Sequence, residues 1–152
     1  NLAHVRSTMT IQTIGHDKLN MLRHVRYFKD LAGIQEHMKL HAAILRPRFE
    51  AVLTALDTYL SGRGIASWHR PRGGYFVSVD LADGCAQRTV ELLRQAGVSM
   101  TPAGATYPYG VDPHDSNIRI APSYPSVEEL QVAMELFCIC AELAYLERLE
   151  KE

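Results

Sequence analysis

The first apolar pattern in the chain has the spacing of an amphipathic helix. It runs from Asp17 to Asp30, and Asp17 is placed to cap the helix start. The apolar side chains of this segment share one side of such a helix: Leu22, Val25 and Phe28. Gly33 follows the segment, and we expect the break between this helix and the next at that glycine.

A longer apolar stripe comes next, with residues that recur at spacings of three and four. Its members are Ile34, Met38, Ala42, Leu45, Phe49, Val52, Leu56 and Leu60. The stripe predicts one long helix. Because Pro47 removes a backbone hydrogen bond and crowds the preceding turn, we expect a kink between Ala43 and Pro47.

Short strands and helices follow in the second half of the chain. The predicted strands are Ile65 to His69, Tyr75 to Leu81, Val98 to Met100 and Ser116 to Ala121. One helix is predicted from about Gly84 to Gln95, and a last helix begins at Ser126, which has Glu129 at capping-box spacing. The elements predict an α/β fold: a three- or four-stranded sheet covered by helices, preceded by the long bent helix and an N-terminal helical arm.

The strand from Ser116 to Ala121 carries the main candidate for function. Ile118 and Ile120 point to one face of this strand, whereas Asn117 and Arg119 point to the other. A guanidinium keeps its charge, needs a partner when buried, and matches a carboxylate with its planar set of donors. Arg119 is therefore a candidate anion receptor. The alternative is an edge-strand arginine paired with a neighbouring Asp or Glu.

Composition narrows the class of protein. A chain of 152 residues with 47% hydrophobic residues suits one domain with its own core. The net charge of -1 disfavours nucleic acid and anionic membrane surfaces as partners. No apolar run approaches the roughly 18 residues of a membrane span. Three cysteines do not make a paired disulfide framework, so we interpret them as reduced thiols of a cytoplasmic protein.

His37 and His41 have the spacing of two metal ligands on one helix face. Met38, however, stands where a metalloprotease of that pattern carries its glutamate, and the sequence offers no third ligand nearby. We interpret the two histidines as partly exposed helix residues and predict no metal site.

Three segments in the second half occur in an informative order. They are the hairpin Pro71-Arg72-Gly73-Gly74-Tyr75, the stretch from Gly97 to Gly104, and the strand with Arg119-Ile120. This order resembles the C-terminal part of fold-type I, pyridoxal-phosphate-dependent aminotransferases. The stretch from Thr10 to His24 is similar to the aspartate aminotransferase-like, MocR-type branch, so that the resemblance covers nearly the whole chain.

The resemblance implies a division of the chain and a substrate site. Residues 1–33 would be an arm of the large cofactor domain, and residues 34–152 the small C-terminal domain with its linking helix. Arg119 would bind the α-carboxylate of an amino acid. The further substrate-binding residues that the resemblance implies are Asn117, Gly73 and Gly74.

The resemblance also implies the cofactor pyridoxal 5'-phosphate and a homodimer. Thr13 and Gly15 would have a cofactor or substrate role across the dimer interface. In this region His16 stands where the branch commonly has proline and Met21 where it commonly has glutamine, which puts a polar contact at position 21 in doubt.

The lysine that holds the cofactor as a Schiff base has no counterpart in the sequence. Its lysines are Lys18, Lys29, Lys39 and Lys151, and none has the desolvated setting that this chemistry needs. We therefore expect no catalytic residue in this chain and a cofactor bound mainly by a large domain. The chain is expected to be a fragment that starts downstream of the lysine and runs to the natural C-terminus.

The resemblance implies two functions, and the sequence patterns alone leave a third. The leading one is the C-terminal part of an aminotransferase that moves an amino group between an amino acid, with aspartate favoured by family analogy, and a 2-oxo acid. The second is a non-catalytic effector-binding domain of a MocR-type transcription regulator, because fold alone does not decide activity. The third is a free-standing α/β interaction domain.

Overall fold

The computed structural model of the protein describes residues 1–13 and 15–151. The chain divides into two compact units, residues 1–42 and residues 43–152. This division falls within one helix. The family resemblance implied a different boundary, after residue 33, between an arm of the large domain and the small domain, and that boundary remains a prediction. None of the described helices is long and apolar enough to cross a membrane.

The first unit is helical. It contains α1 (Leu2–Gln12), α2 (Lys18–Phe28) and the beginning of α3 (Leu31–Tyr59). The predicted cap is confirmed, because the Asp17 side chain accepts a hydrogen bond from the backbone N–H of Asn20 at 2.9 Å. Neither α1 nor α2 buries a residue.

The break between α2 and α3 was predicted at Gly33, and that position is wrong. The chain turns at Lys29, which has a φ of 64°, and α3 has already begun when it reaches Gly33. The Asp30 side chain accepts from the Gly33 backbone N–H at 2.9 Å. A Cβ atom at Gly33 would lie 1.9 Å from the carbonyl oxygen of Phe28, so the glycine permits a close approach and does not end a helix.

The long helix predicted from the apolar stripe is confirmed as α3, which continues through Pro47. The kink predicted before this proline remains a prediction. Towards its C-terminal end the helix enters the core of the second unit with Val52 and Leu56.

The second unit is built on an antiparallel sheet that has three strands within the described residues. They are β1 (Ala66–Trp68), β2 (Val77–Leu81) and β3 (Asn117–Ile120), in the order β1-β2-β3. The α/β class is therefore confirmed. The prediction of a strand at 98–100 is wrong. Gly97 adopts a φ of 87°, and the Val98 N–H donates to the Leu93 carbonyl at 2.8 Å, so this segment ends the preceding helix.

One face of the sheet forms the core with the helices. Among the described residues, the other two α-helices of this unit are α4 (Ala86–Gln95) and α5 (Val127–Leu149), and one 3-10 turn spans Pro108–Gly110. The predicted capping box of Ser126 and Glu129 starts α5. The buried apolar residues of β2 and β3 are Val77, Val79, Leu81, Ile118 and Ile120. Because side chains alternate along a strand, this burial leaves the polar residues between them on the opposite face.

Candidate functional site

The opposite face of the sheet carries four polar side chains on two neighbouring strands. Asn117 and Arg119 lie on β3, directly across from Asp80 and Ser78 of β2. We call these four residues the polar sheet face. β3 is an edge strand, and its burial pattern confirms that Ile118 and Ile120 point into the core. The alternation read from the sequence thus places both β3 candidates on one surface.

Arg119 lies on this face without an anionic partner among residues 1–13 and 15–151. Its guanidinium carbon is 4.3 Å from the centroid of the Phe76 ring. Its Nε atom is buried and has no hydrogen-bond acceptor in the same part of the chain. An unsatisfied buried donor costs about 1–3 kcal/mol. The alternative of an edge arginine paired with Asp or Glu is therefore not what the described residues show, and the Nε donor of Arg119 is left without a partner there.

Asn117 is 6% exposed and uses its whole amide group within the protein. Its Nδ2 donates to Ser78 Oγ at 2.9 Å and to Asp80 Oδ1 at 2.6 Å. Its Oδ1 accepts from the Thr106 hydroxyl at 2.6 Å. An amide has two N–H donors, so both donors of Asn117 are occupied by residues of β2.

The carboxylate of Asp112 holds the loop before β3. Asp112 accepts hydrogen bonds from the backbone N–H groups of His114, Ser116 and Asn117 at 3.0, 2.8 and 2.8 Å. Desolvation opposes the charge of Asp112, but these backbone donors outweigh it and lower the pKa of the carboxyl. Gly104 is also required here, since its φ is 76° and a Cβ atom would lie 2.9 Å from the Gly110 carbonyl oxygen. The loop therefore fixes the start of β3.

Gly73 and Gly74 lie in the connection between β1 and β2, which pair as the predicted hairpin. Both glycines are exposed, and a Cβ atom at either would meet nothing within 4 Å. Gly74 has a φ of 89°, so its role in the turn is conformational. Their predicted contact with substrate remains a prediction.

Thr13 and Gly15 belong to the first unit, and Ile14 between them lies outside the described residues. The Thr13 hydroxyl donates to the Met9 carbonyl at 3.0 Å, and the Thr13 backbone N–H donates to the same oxygen at 2.9 Å. Within this chain Thr13 thus closes α1. The cofactor role predicted for Thr13 and Gly15 remains a prediction about the assembled protein.

Two further groups of reactive side chains have ordinary surroundings. The four lysines are all exposed. The three cysteines are buried and free, and burial raises the pKa of all three thiols, that of Cys138 to about 12. Among the described residues no group of three His, Cys, Asp or Glu side chains could hold a metal ion.

Sequence reasoning missed four contributors to the site. They are Phe76, Ser78, Asp80 and Thr106. The alternation of β2 already assigns Ser78 and Asp80 to the face opposite the core. The signal that was absent is the register, which sets Ser78 across from Arg119.

The fold and this face define an α/β domain with a candidate carboxylate receptor on its sheet. A family model described as aspartate amino-transferase matches residues 1–152. The chain belongs to this family.

Known proteins agree with this assignment. An aspartate aminotransferase of Corynebacterium glutamicum is 47% identical over 137 residues, which cover 90% of this chain and 32% of that protein. The crystal structure of an aspartate transaminase from Corynebacterium glutamicum matches with a TM-score of 0.88 and 46% identity, over 93% of this chain and 34% of that one. The chain therefore spans about a third of the length of these relatives.

A more distant solved structure shares the fold alone. It is LysN, an α-aminoadipate aminotransferase of Thermus thermophilus, in complex with N-(5'-phosphopyridoxyl)-L-leucine. It matches with a TM-score of 0.64 at 19% identity, over 75% of this chain and 28% of that one.

Proposed function

We propose that this chain is the carboxylate-binding part of an aminotransferase that moves an amino group between an amino acid and a 2-oxo acid. The observation that supports the proposal most directly is Arg119, a strand arginine that lacks a carboxylate partner in the described part of the chain and has a buried, unsatisfied Nε. Its guanidinium would bind the α-carboxylate in a bidentate manner. Fixing that carboxylate orients the bonds at the substrate Cα atom relative to the rest of the site.

Pyridoxal 5'-phosphate would supply the electron sink that transamination needs. The residues of this chain fit a supporting role towards it. All four lysines are exposed, whereas a lysine that binds this cofactor is desolvated or lies near cations, so we assign the cofactor-holding lysine to another part of the protein. Arg119 then acts on the substrate carboxylate and not on the cofactor.

Aspartate is the amino donor that we propose, because a relative with 47% identity is named an aspartate aminotransferase. We also propose a cytoplasmic homodimer, in which Thr13 and Gly15 contribute to the cofactor or substrate site of the other subunit. The roles of Thr13 and Gly15 across the dimer interface come from the resemblance of residues 10–24 to the family. The names of the relatives favour an enzyme over the transcription-regulator alternative.

The proposal is tested with the full-length protein that contains this chain, loaded with the cofactor. Arg119→Ala should raise KM for aspartate at least about a hundredfold, since a charged hydrogen-bonded pair in a closed site contributes several kcal/mol. Arg119→Lys should not restore KM, because an ammonium cannot reproduce the planar pair of donors.

The matched control is Arg94→Ala, which removes an exposed arginine from the last turn of α4. This variant should keep the wild-type kcat/KM. A wild-type kcat/KM in Arg119→Ala, or equal losses in the Arg94 and Arg119 variants, would refute the role assigned to Arg119.

A further inference from the structure

A carboxylate lies on the same face of the sheet as the candidate receptor and does not pair with it. Asp80 is directly across from Asn117, and Arg119 is two residues further along β3, so Asp80 and Arg119 are diagonal neighbours. Diagonal pairs in an antiparallel sheet are about 7–8 Å apart at the backbone, within reach of a side chain as long as arginine. Asp80 is therefore close enough to compete with the substrate carboxylate for Arg119.

The structure holds the two charges apart by giving each another contact. Asp80 accepts from Asn117 Nδ2 at 2.6 Å. The Arg119 guanidinium lies over the Phe76 ring at 4.3 Å. No ion pair joins Asp80 and Arg119 among the described residues.

Asn117 is itself fixed from several sides. Its second amide donor goes to Ser78, the residue directly across from Arg119, and its carbonyl accepts from Thr106. Its backbone N–H donates to Asp112. A buried, fully bonded amide has no freedom to release Asp80 without leaving polar atoms unsatisfied, which is costly.

We propose that Asn117 is a positioning residue that holds Asp80 away from Arg119 and so keeps the guanidinium available for the substrate carboxylate. The inference rests on the proposed role of Arg119. It differs from the sequence prediction that Asn117 binds substrate directly, because both amide donors are occupied within the protein. Without Asn117, Asp80 pairs with Arg119 in a half-buried site, where attraction between charges is weakly screened.

The test compares four variants of the full-length, cofactor-loaded protein: Asn117→Ala, Asp80→Asn, the double variant, and Arg119→Gln. Binding of succinate, the aspartate skeleton without its amino group, is measured by isothermal titration calorimetry, together with KM and kcat for aspartate. Asn117→Ala should weaken succinate binding and raise KM about tenfold, which corresponds to 1.4 kcal/mol, with a smaller change in kcat. Asp80→Asn alone measures the effect of removing this charge while Asn117 stays in place, and it is the reference for the double variant.

The double variant decides between positioning and general structural damage. If Asp80 is the competitor, Asn117→Ala with Asp80→Asn should return succinate affinity and KM to within about threefold of wild type. A structural role predicts no recovery, because Asp80→Asn does not restore the hydrogen bonds that Asn117→Ala removes. A double variant as impaired as the single one, or an unchanged single variant, would overturn the proposal.

The Arg119→Gln variant separates failure of this inference from failure of the proposed function. Where Asn117→Ala does not fold, Asn117→Ser replaces it, because serine keeps a polar atom but is too short to hold Asp80. Loss of succinate binding in Arg119→Gln with no change in Asn117→Ala leaves the proposed function intact and overturns this inference. Unchanged binding in Arg119→Gln overturns both.

Discussion

Asp112 offers a prediction whose size follows from the hydrogen bonds it accepts. Asp112→Ala removes the acceptor of three backbone N–H groups, those of His114, Ser116 and Asn117. His114 is exposed and its N–H can turn to water, whereas Ser116 and Asn117 are 8% and 6% exposed. Leaving two buried donors unsatisfied costs about 1–3 kcal/mol each. We therefore expect a local loss of about 3 kcal/mol at the start of β3.

Hydrogen exchange measured by mass spectrometry on the full-length protein follows this loss directly. A local opening free energy reduced by about 3 kcal/mol accelerates exchange of the Ser116 and Asn117 amides about a hundredfold. The control is Asp83→Ala, because Asp83 is exposed and its carboxylate contacts the side chain of His114, at 3.0 Å. Acceleration below about threefold in Asp112→Ala, or equal acceleration in both variants, would refute the anchoring role of Asp112.

The same carboxylate sets a dependence on pH. The folded protein lowers the pKa of Asp112 because the backbone donors favour the charged form. Its contribution to stability is therefore complete above the unfolded pKa of about 3.9 and is lost as the pH falls through the lower folded pKa. The difference in unfolding temperature between wild type and Asp112→Ala should be constant near neutral pH and should shrink below about pH 4. A difference that grows on acidification would contradict this sign.

Two other predictions concern single contacts. Gly33→Ala should lower the unfolding temperature of α2 and α3, measured by circular dichroism, because the new Cβ would lie 1.9 Å from the Phe28 carbonyl oxygen; the control Gly73→Ala has open space and should not change it. Phe76→Leu should raise KM for aspartate about three- to tenfold with little change in kcat, since it removes the aromatic contact of Arg119, and an unchanged KM would show that the contact does not orient the guanidinium.

The sequence predicts those parts of the fold that depend on one segment at a time. Helix α3 follows from its stripe, and the capping box of α5 follows from Ser126 and Glu129. The faces of β3 follow from alternation alone, which is why Arg119 was recognised. These features need only the period of the segment and its end signals.

The parts that failed depend on contacts between segments. Val98 is a β-branched residue of the kind common in strands, but its backbone N–H donates to the Leu93 carbonyl and closes α4 after Gly97. Glycine is typical of helix ends, but Gly33 lies inside α3. A glycine is needed there because a Cβ atom would clash with the carbonyl oxygen of Phe28 in the preceding helix. The partners of Asn117 depend on the register of β2 against β3, and no periodicity along one strand contains that information.

The burial of the cysteines has a practical consequence for following this domain in solution. At neutral pH a thiol with a raised pKa is almost entirely protonated, and only the thiolate reacts with maleimides. The native thiols of the described residues should therefore react little with a maleimide label. One cysteine introduced at exposed Gly73, where a side chain meets open space, would carry a single fluorophore on the hairpin that precedes β2. Its emission would report changes at this edge of the sheet in real time.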